Sequence, residues 1–470
     1  MDDKVVSPSS QLGAADTAYK LIRVLAFTMV LSVMSVTMFN IALTDISIEF
    51  SLSVAQVSWV STAYLVVYAL GTLTYGKLVN MFHLRHLVVV GLLIFAMGSL
   101  VGFTAQSYYV VVLGRIVQAA GAAVVPAMST IIPVRYFSQE KRGYALGITF
   151  TGLAVGNAIG PVISAAVVSF AEWRWLFAVP ILTLTTLPFY LKYLGRDQLK
   201  KDDKIDYLGG GLLALFVILL MMSITQAKIL YFVAAAVLFI LFIVRSRLTS
   251  TPFIPLQLFH SKGYAIGLVI LVLMQGIGFS FPFLTPLLLQ QVNDLSAGIV
   301  GFMLVPAAIC SAFLGRRIGK IVDAHGNHFV YSISASLLVI TFMAMSIWAG
   351  SHHYWIAAIL IVGTVSQMSL QISLINSVSR SLAPEYTGVG MGLFSTLNFM
   401  SGAISASFYS ILLDQGARTA WNGINANLEA SVFSNMYFVF AVMHILLLVI
   451  FHYLYKVPVP KVRTANKQSH

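Results

Sequence analysis

Among sixteen Asp and Glu and twenty-eight Lys and Arg, one charged side chain stands in the middle of a long apolar run, Arg115. A guanidinium at the centre of a membrane span costs about 2.5–3.5 kcal/mol on insertion scales, so it must face a bundle interior rather than lipid. Gln118 lies three residues on and shares its helix face. Gly121, followed by Ala122 and Ala123, lets a neighbouring helix come close. The acids are placed differently: each Asp and Glu falls in a loop, in a tail or at the end of an apolar run. Asp45, near the end of the first run, leads as a proton-exchanging acid, ahead of His444 inside the last run. Uncharged polar candidates for a central pathway are Asn40, Tyr64, Tyr68, Asn157, Gln275, Gln371, Asn376 and Asn398, with interhelical hydrogen bonding as their competing role. His352–His353 is the one tight histidine pair, without nearby acids, and no Gly-x-x-x-x-Gly-Lys-Ser/Thr motif occurs. Enzymatic chemistry, a metal centre, a cofactor and ATP-driven work therefore have no support in these residues. Cys310 is a lone cysteine inside an apolar run.

The elements that must hold these residues are membrane-spanning helices. The chain has 470 residues, 59% of them apolar and 9% charged. Soluble domains carry about 25% charged residues, so a surface this poor in charge faces lipid. Fourteen runs approach the length needed to cross the hydrocarbon. They are Val24–Leu43, Trp59–Tyr75, Leu87–Phe103, Tyr109–Ile131, Gly143–Phe170, Trp173–Leu191, Leu208–Thr225, Ile229–Val244, Tyr264–Leu289, Ala297–Leu314, Phe329–Trp348, Trp355–Ile375, Gly388–Leu412 and Met436–Tyr455. Continuous runs of this length exclude a β-barrel. The expected class is an all-α polytopic membrane protein. With the N-terminus inside, 24 of the 28 Lys and Arg fall on the cytoplasmic side. Arg174, Lys228 and Arg418 fall outside, and Arg115 lies within a span. That asymmetry predicts that both termini are cytoplasmic, and it accounts for the +12 net charge without nucleic acid.

Two segments repeat. Gly76-Lys-Leu-Val-Asn80 returns as Gly319-Lys-Ile-Val-Asp323, an offset of 243. Glu140-Lys-Arg-Gly-Tyr-Ala-Leu-Gly147 returns as Glu385-Tyr-Thr-Gly-Val-Gly-Met-Gly392, an offset of 245. Such duplication is the usual build of a secondary transporter. The organisation expected is a tail (1–23), a six-helix bundle (24–193), a charged linker (194–207), two inserted helices (208–246), a second six-helix bundle (262–455) and a tail (456–470).

With these motifs the chain resembles the major facilitator superfamily, and within it the fourteen-span drug:proton antiporters, nearest the Gram-positive tetracycline–metal/proton antiporters. Gly114-Arg115-Ile-Val-Gln118-Ala-Ala-Gly121 is similar to the superfamily's arginine motif, which implies a part for Arg115 in proton coupling. Gly152-Leu-Ala-Val-Gly156-Asn157-Ala-Ile-Gly160-Pro161 resembles the antiporter motif. Its three glycines share a face, and Pro161 removes a backbone hydrogen bond, so a bendable seam between rocking halves is expected. Gly76 to Arg85 resembles the loop motif, with Asn80 where an Asp usually stands and His83 where a Gly usually stands. The second copy keeps both Asp323 and Gly326, so a cytoplasmic lock is expected to rest mainly on Asp323. Gln56 to Tyr64 and Trp173-Arg174-Trp175 resemble the starts of the second and sixth spans of that family, though Trp there also suits an interfacial anchor.

The resemblance implies a monomeric carrier in the cell membrane of a Gram-positive bacterium. It would export a drug-like small molecule by proton antiport and alternating access. The family's intramembrane acid is missing: Ser35 or Val36, and Asn157, stand at the matching positions. A carboxylate with a burial-raised pKa is the usual proton exchanger, and an amide cannot replace it. A second expectation therefore stands beside the first: a facilitator, or a lipid or metabolite exporter, without proton coupling. An uncharged cavity suits a neutral, zwitterionic or amphipathic substrate.

Overall fold

A computed structural model describes residues 8–195, 206–226, 228–416, 421–425 and 427–455. The described residues fold as helices and short connections, with no strand among them. Most of the linker 194–207 and the tail 456–470 lie outside the described residues. Twelve of the helices are long and apolar enough to cross a membrane. Two more complete the fourteen. The second span, Trp59–Leu78, is long enough but carries Ser, Thr, Tyr and Lys along its length. The seventh, Tyr207–Gln226, is a 20-residue helix of mostly apolar residues.

Three spans are interrupted by a single residue. The first runs Pro8–Thr37 and continues as Phe39–Glu49. The fourth runs Tyr108–Ala122 and Val124–Tyr136, and the ninth Lys262–Gly278 and Ser280–Gln291. In the last two the cause is proline. Pro126 and Pro282 stand four residues after Ala122 and Gly278, so neither carbonyl receives its usual N–H. In the first span the Ser164 hydroxyl donates to the Met38 carbonyl (2.5 Å) at the break. The sixth span departs from an α-helix, with 3₁₀ turns Trp173–Phe177 and Val179–Thr186 leading into Leu187–Tyr193.

The fifth span (Arg142–Phe170) packs along both the first and the tenth (Ala297–His325). The second packs along the fourth and along the thirteenth (Thr387–Gln415). The eleventh span (Asn327–Ile347) packs on the twelfth (His353–Arg380) and on the fourteenth (Ser431–Leu454). The seventh and eighth (Ile229–Leu248) pair with each other, and the seventh also touches the second and thirteenth. Val217 and Met221 make that contact, in a cluster with Val66, Ala69 and Met400. The described part of the long loop after the thirteenth span folds back as a cap. The buried Asn425 amide donates to the Ser346 and Ala349 carbonyls (3.0 and 3.2 Å), and Asn422 donates to Ser346 Oγ (3.2 Å).

Candidate transport path and gate

The first six spans meet the last six at two crossings that obey the sequence repeat. A Cβ placed on Gly76 would lie 2.6 Å from the Gly388 carbonyl oxygen and 2.8 Å from Gly392 Cα. A Cβ on Gly319, the repeat of Gly76, would lie 2.2 Å from the Gly143 carbonyl oxygen. One on Gly147 would lie 2.3 Å from the Gly315 carbonyl oxygen. Each loop motif thus packs against the opposite half's copy of the 140–147 segment. Only glycine admits backbones this close.

The two crossings carry different polar chemistry. The Asp323 carboxylate accepts from the backbone N–H of Gly143 and of Tyr144, both at 2.7 Å. These are free donors at the start of the fifth span, where the helix dipole also favours an anion. Asn80 occupies the same place at the other crossing. It accepts from Arg135 Nη2 (3.1 Å) and donates to the Glu385 carbonyl (3.4 Å). Arg380 adds a bond across the halves, to the Gln139 carbonyl (3.1 Å). Further in, the Thr151 hydroxyl donates to the Ala312 carbonyl (3.2 Å) and Thr396 to the Ala69 carbonyl (2.9 Å). Thr130 and Ser395 oxygens lie 3.3 Å apart, and the Tyr68 ring meets Phe399 edge-on at 5.0 Å. The glycine crossings and the Asp323, Asn80 and Arg380 bonds lie at the face that carries the basic loops, and the Tyr68–Phe399 contact lies near mid-height of its two spans. Arg85 is half-buried at the start of the third span. Gly326 ends the tenth span at φ +85°, a conformation that suits glycine.

Arg115 is 0% exposed. Its Nε donates to the Val60 carbonyl (3.2 Å), and its Nη1 to the Ser35 carbonyl (3.2 Å) and to Gln118 Oε1 (2.6 Å). Gln118 in turn donates to Ser99 Oγ (2.8 Å). The guanidinium carbon lies 3.8 Å from the Tyr64 ring centre and 4.2 Å from that of Phe39. This is a cation held by carbonyl dipoles, one amide and two ring faces, with no carboxylate among its described partners. Three buried polar atoms meet here without a well-formed hydrogen bond: Arg115 Nη2, Ser35 Oγ and Tyr64 Oη. Ser35 is one of the two first-span positions where the resemblance calls for an acid.

Several expected cavity residues stand elsewhere. Tyr64 and Tyr68 are fully buried and stack on each other at 5.6 Å, and Tyr68 Oη lies 3.2 Å from Ser32 Oγ, so they fill the bundle rather than line open space. Asn376 donates to Oδ1 of Asn327 (2.8 Å), the first residue of the eleventh span, which puts it near the basic face and not at the centre. Gln371 donates to Asn398 Oδ1 (2.7 Å), tying the twelfth span to the thirteenth. Gln275 accepts from Gln367 (3.1 Å). Asn157 is exposed, on the helical face of Phe150 and Ser164, seven residues to either side. The side chain of Asn40 lies outside the described residues. His444 is buried, with Nδ1 3.0 Å from the Phe440 carbonyl and its ring 5.2 Å from Phe342.

The glycine stripe corrects an expectation. Cβ atoms on Gly152, Gly156 and Gly160 would strike Ala26 O, Val30 O and Thr37 Oγ1 of the first span, at 2.4, 2.7 and 2.1 Å. The stripe seals the first span within its own half, while Gly143 and Gly147 make the contact between halves. A stripe of period four stays on one side of a helix, and the first span owns that side. Pro161 is exposed inside the fifth span. A Cβ on Gly121 would likewise fall within its half, 2.1 Å from Phe95 N. At the opposite face, a pocket of about 400 Å³ holds Asp45, Glu49, Glu172 and Arg174. Arg174 pairs with Glu49 and Glu172 there, and no ion pair joins it to Asp45 among the described residues.

The sequence profile of the Major Facilitator Superfamily matches residues 25–406. The chain belongs to that superfamily. This carrier is 25% identical over 396 residues to the riboflavin transporter RibZ of Clostridioides difficile, covering 82% of this chain and 86% of the relative. It is 25% identical over 402 residues to the lincomycin resistance protein LmrB of Listeria monocytogenes, covering 82% and 84%. It is 25% identical over 370 residues to a methylenomycin A resistance protein of Bacillus subtilis, covering 75% and 78%. In fold it is similar to the proton:xylose symporter XylE (TM-score 0.66, 12% identity, 94% of this chain and 96% of that one). It is also similar to the human organic anion transporter MFSD10 (TM-score 0.62, 14% identity, 94% and 100%). The carrier is therefore a multi-pass membrane transporter of a small molecule, and not an enzyme.

Proposed function

We propose that this carrier exports a drug-like, amphipathic small molecule by alternating access, as a monomer in the cell membrane of a Gram-positive bacterium with both termini cytoplasmic. The observation that carries the reading is the pair of glycine crossings, Gly76 with Gly388 and Gly392, and Gly319 with Gly143. Both lie on the face of the basic loops, while Asn157 on the inward face of the fifth span is exposed beyond them. Such an arrangement suits a carrier shut toward the cytoplasm and open outward, with Asp323 as the main lock and Asn80 as a neutral one. Relatives named for lincomycin, methylenomycin and riboflavin support a substrate with polar groups on an apolar body. Asn157, Gln371, Asn398 and Gln275 would meet such a substrate through hydrogen bonds rather than charge.

Proton antiport is the driving force in this reading, resting on the resemblance to drug:proton antiporters, with Arg115 and Asp45 as the coupling pair. The surroundings of Arg115 favour a second reading, an uncoupled facilitator or metabolite exporter, since its described partners include no acid. Transport of a panel of dyes and antibiotics into proteoliposomes with an imposed pH gradient separates them. Accumulation that follows the gradient and vanishes in Asp45→Asn supports antiport. Flux indifferent to the gradient supports the second reading, and no flux of any tested compound refutes the drug-export proposal.

A further inference from the structure

On the lipid-facing side of the fifth span lies a groove of about 620 Å³. Its floor is Tyr144, Ile148, Thr151 and Gly152, and its walls are the first and tenth spans. Four cations ring its basic-face end: Arg23 from the first span, and Arg316, Arg317 and Lys320 from the tenth. All four are exposed, and none forms an ion pair with a described acid. Arg316 rests over the Tyr144 ring, 5.4 Å from its centre, which turns its charge toward the groove. Deeper, the lining is apolar. Phe27 and Phe313 stand on opposite walls, 50% and 79% exposed, with Val30, Val155 and Ala312 beyond them. From Arg23 to Val30, and from Lys320 to Ala312, a helix rises about 10–12 Å, the distance from headgroup level into the acyl region.

We propose that this groove binds an anionic phospholipid, its phosphate between Arg23 and the Arg316–Arg317–Lys320 cluster and one acyl chain lying between Phe27 and Phe313. Basic pockets between spans on the cytoplasmic side suit acidic headgroups, and each Lys or Arg adds to the attraction. The side of the membrane rests on the loop-charge orientation, but the binding does not depend on what is carried. One wall belongs to the first six spans and the other to the last six. A bound phosphate therefore bridges the halves across the Gly143–Gly319 crossing and offsets the repulsion among four like charges.

The test is thermal unfolding of the purified full-length protein in detergent, with added phosphatidylglycerol, phosphatidylcholine or glycerol phosphate. Phosphatidylglycerol is expected to raise the midpoint by about 3 °C or more over phosphatidylcholine, since a ligand of the native state stabilises it. Glycerol phosphate alone should do nothing. In R316Q/R317Q/K320Q the gain from phosphatidylglycerol should vanish. Arg23→Gln, on the opposite wall, should reduce it on its own and keeps the test valid should the triple variant fail to fold. An equal gain in the variants, no gain in the parent protein, or a full gain from glycerol phosphate would each overturn the proposal.

Discussion

Adding one methyl group to Gly319 should open this carrier on the face of its basic loops. The new Cβ would stand 2.2 Å from the Gly143 carbonyl oxygen, 2.7 Å from its carbon and 2.8 Å from Tyr144 Cα. All three are backbone atoms, so no side-chain rotation relieves the clash. An ordinary carbon–oxygen contact needs about 1 Å more, and the fifth and tenth spans must separate by roughly that much. The two bonds from Gly143 and Tyr144 to Asp323, now 2.7 Å each, would then stretch beyond hydrogen-bonding range. Hydrogen bonds to a charged group contribute about 1.5–3 kcal/mol each, and overpacking costs about 1–3 kcal/mol. A loss near 3 kcal/mol from the closed arrangement alone would shift its balance with the open one by about 100-fold. Spin labels at the exposed positions Gln139 and His325, in a Cys310→Ser background, would report the distance between halves by double electron–electron resonance. The Gly319→Ala protein should show a longer distance as its main population. Gly301→Ala, where a Cβ meets nothing within 4 Å, should not. A Gly319→Ala distribution identical to the parent's would refute the reasoning.

Asp323→Asn keeps the shape but removes the anion from the start of the fifth span. It should shift the same distance distribution in the same direction, by less than Gly319→Ala. Ser35→Asp places a carboxylate beside Arg115 at one of the positions where the family carries its acid, and it should make flux in proteoliposomes more dependent on the pH gradient. Arg115→Lys cannot reach the Val60 and Ser35 carbonyls and Gln118 together, so it should lower stability by about 2–4 kcal/mol in detergent unfolding. At the opposite face, hydrogen bonding from Arg174 outweighs partial burial and holds the Glu49 carboxyl below its ordinary 4.5, with Trp173 adding a bond (2.7 Å). A lowered native pKa gives stability that is full above the unfolded value and is lost as pH falls through the native one. Glu49→Gln should therefore cost about 0.5–1 kcal/mol at pH 7, a difference that shrinks in unfolding measurements below pH 4.5.

The count and placement of the spans were legible because lipid demands long apolar runs and leaves charge for the loops. The second span shows where that rule thins. Trp59–Leu78 carries most of its polar residues toward other helices. The breaks at Ala123 and Phe279 follow from Pro126 and Pro282 in the sequence. The break at Met38 depends on Ser164, 126 residues away, which no local pattern reveals. At the gate, the repeat already paired Gly76 with Gly319 and Glu140–Gly147 with Glu385–Gly392. What it left hidden was the swap, in which each loop motif meets the other half's partner. Gly152, Gly156 and Gly160 were visible as a stripe, but a stripe does not name its neighbour. The buried tyrosines misled for a physical reason, since Tyr64 and Tyr68 are wide enough to pack as core and polar enough to suggest a pathway.

Among the described residues, the seventh span lies against one of the two seams. Val217 and Met221 cover the contact between the second and thirteenth spans, and the seam between the fifth and tenth is left to the surrounding bilayer. The molecule is thus bound like a book, with a spine of its own protein along one edge and a fore-edge left to its host membrane. How readily the pages part will differ from one cell envelope to another, and the difference will enter along that single margin.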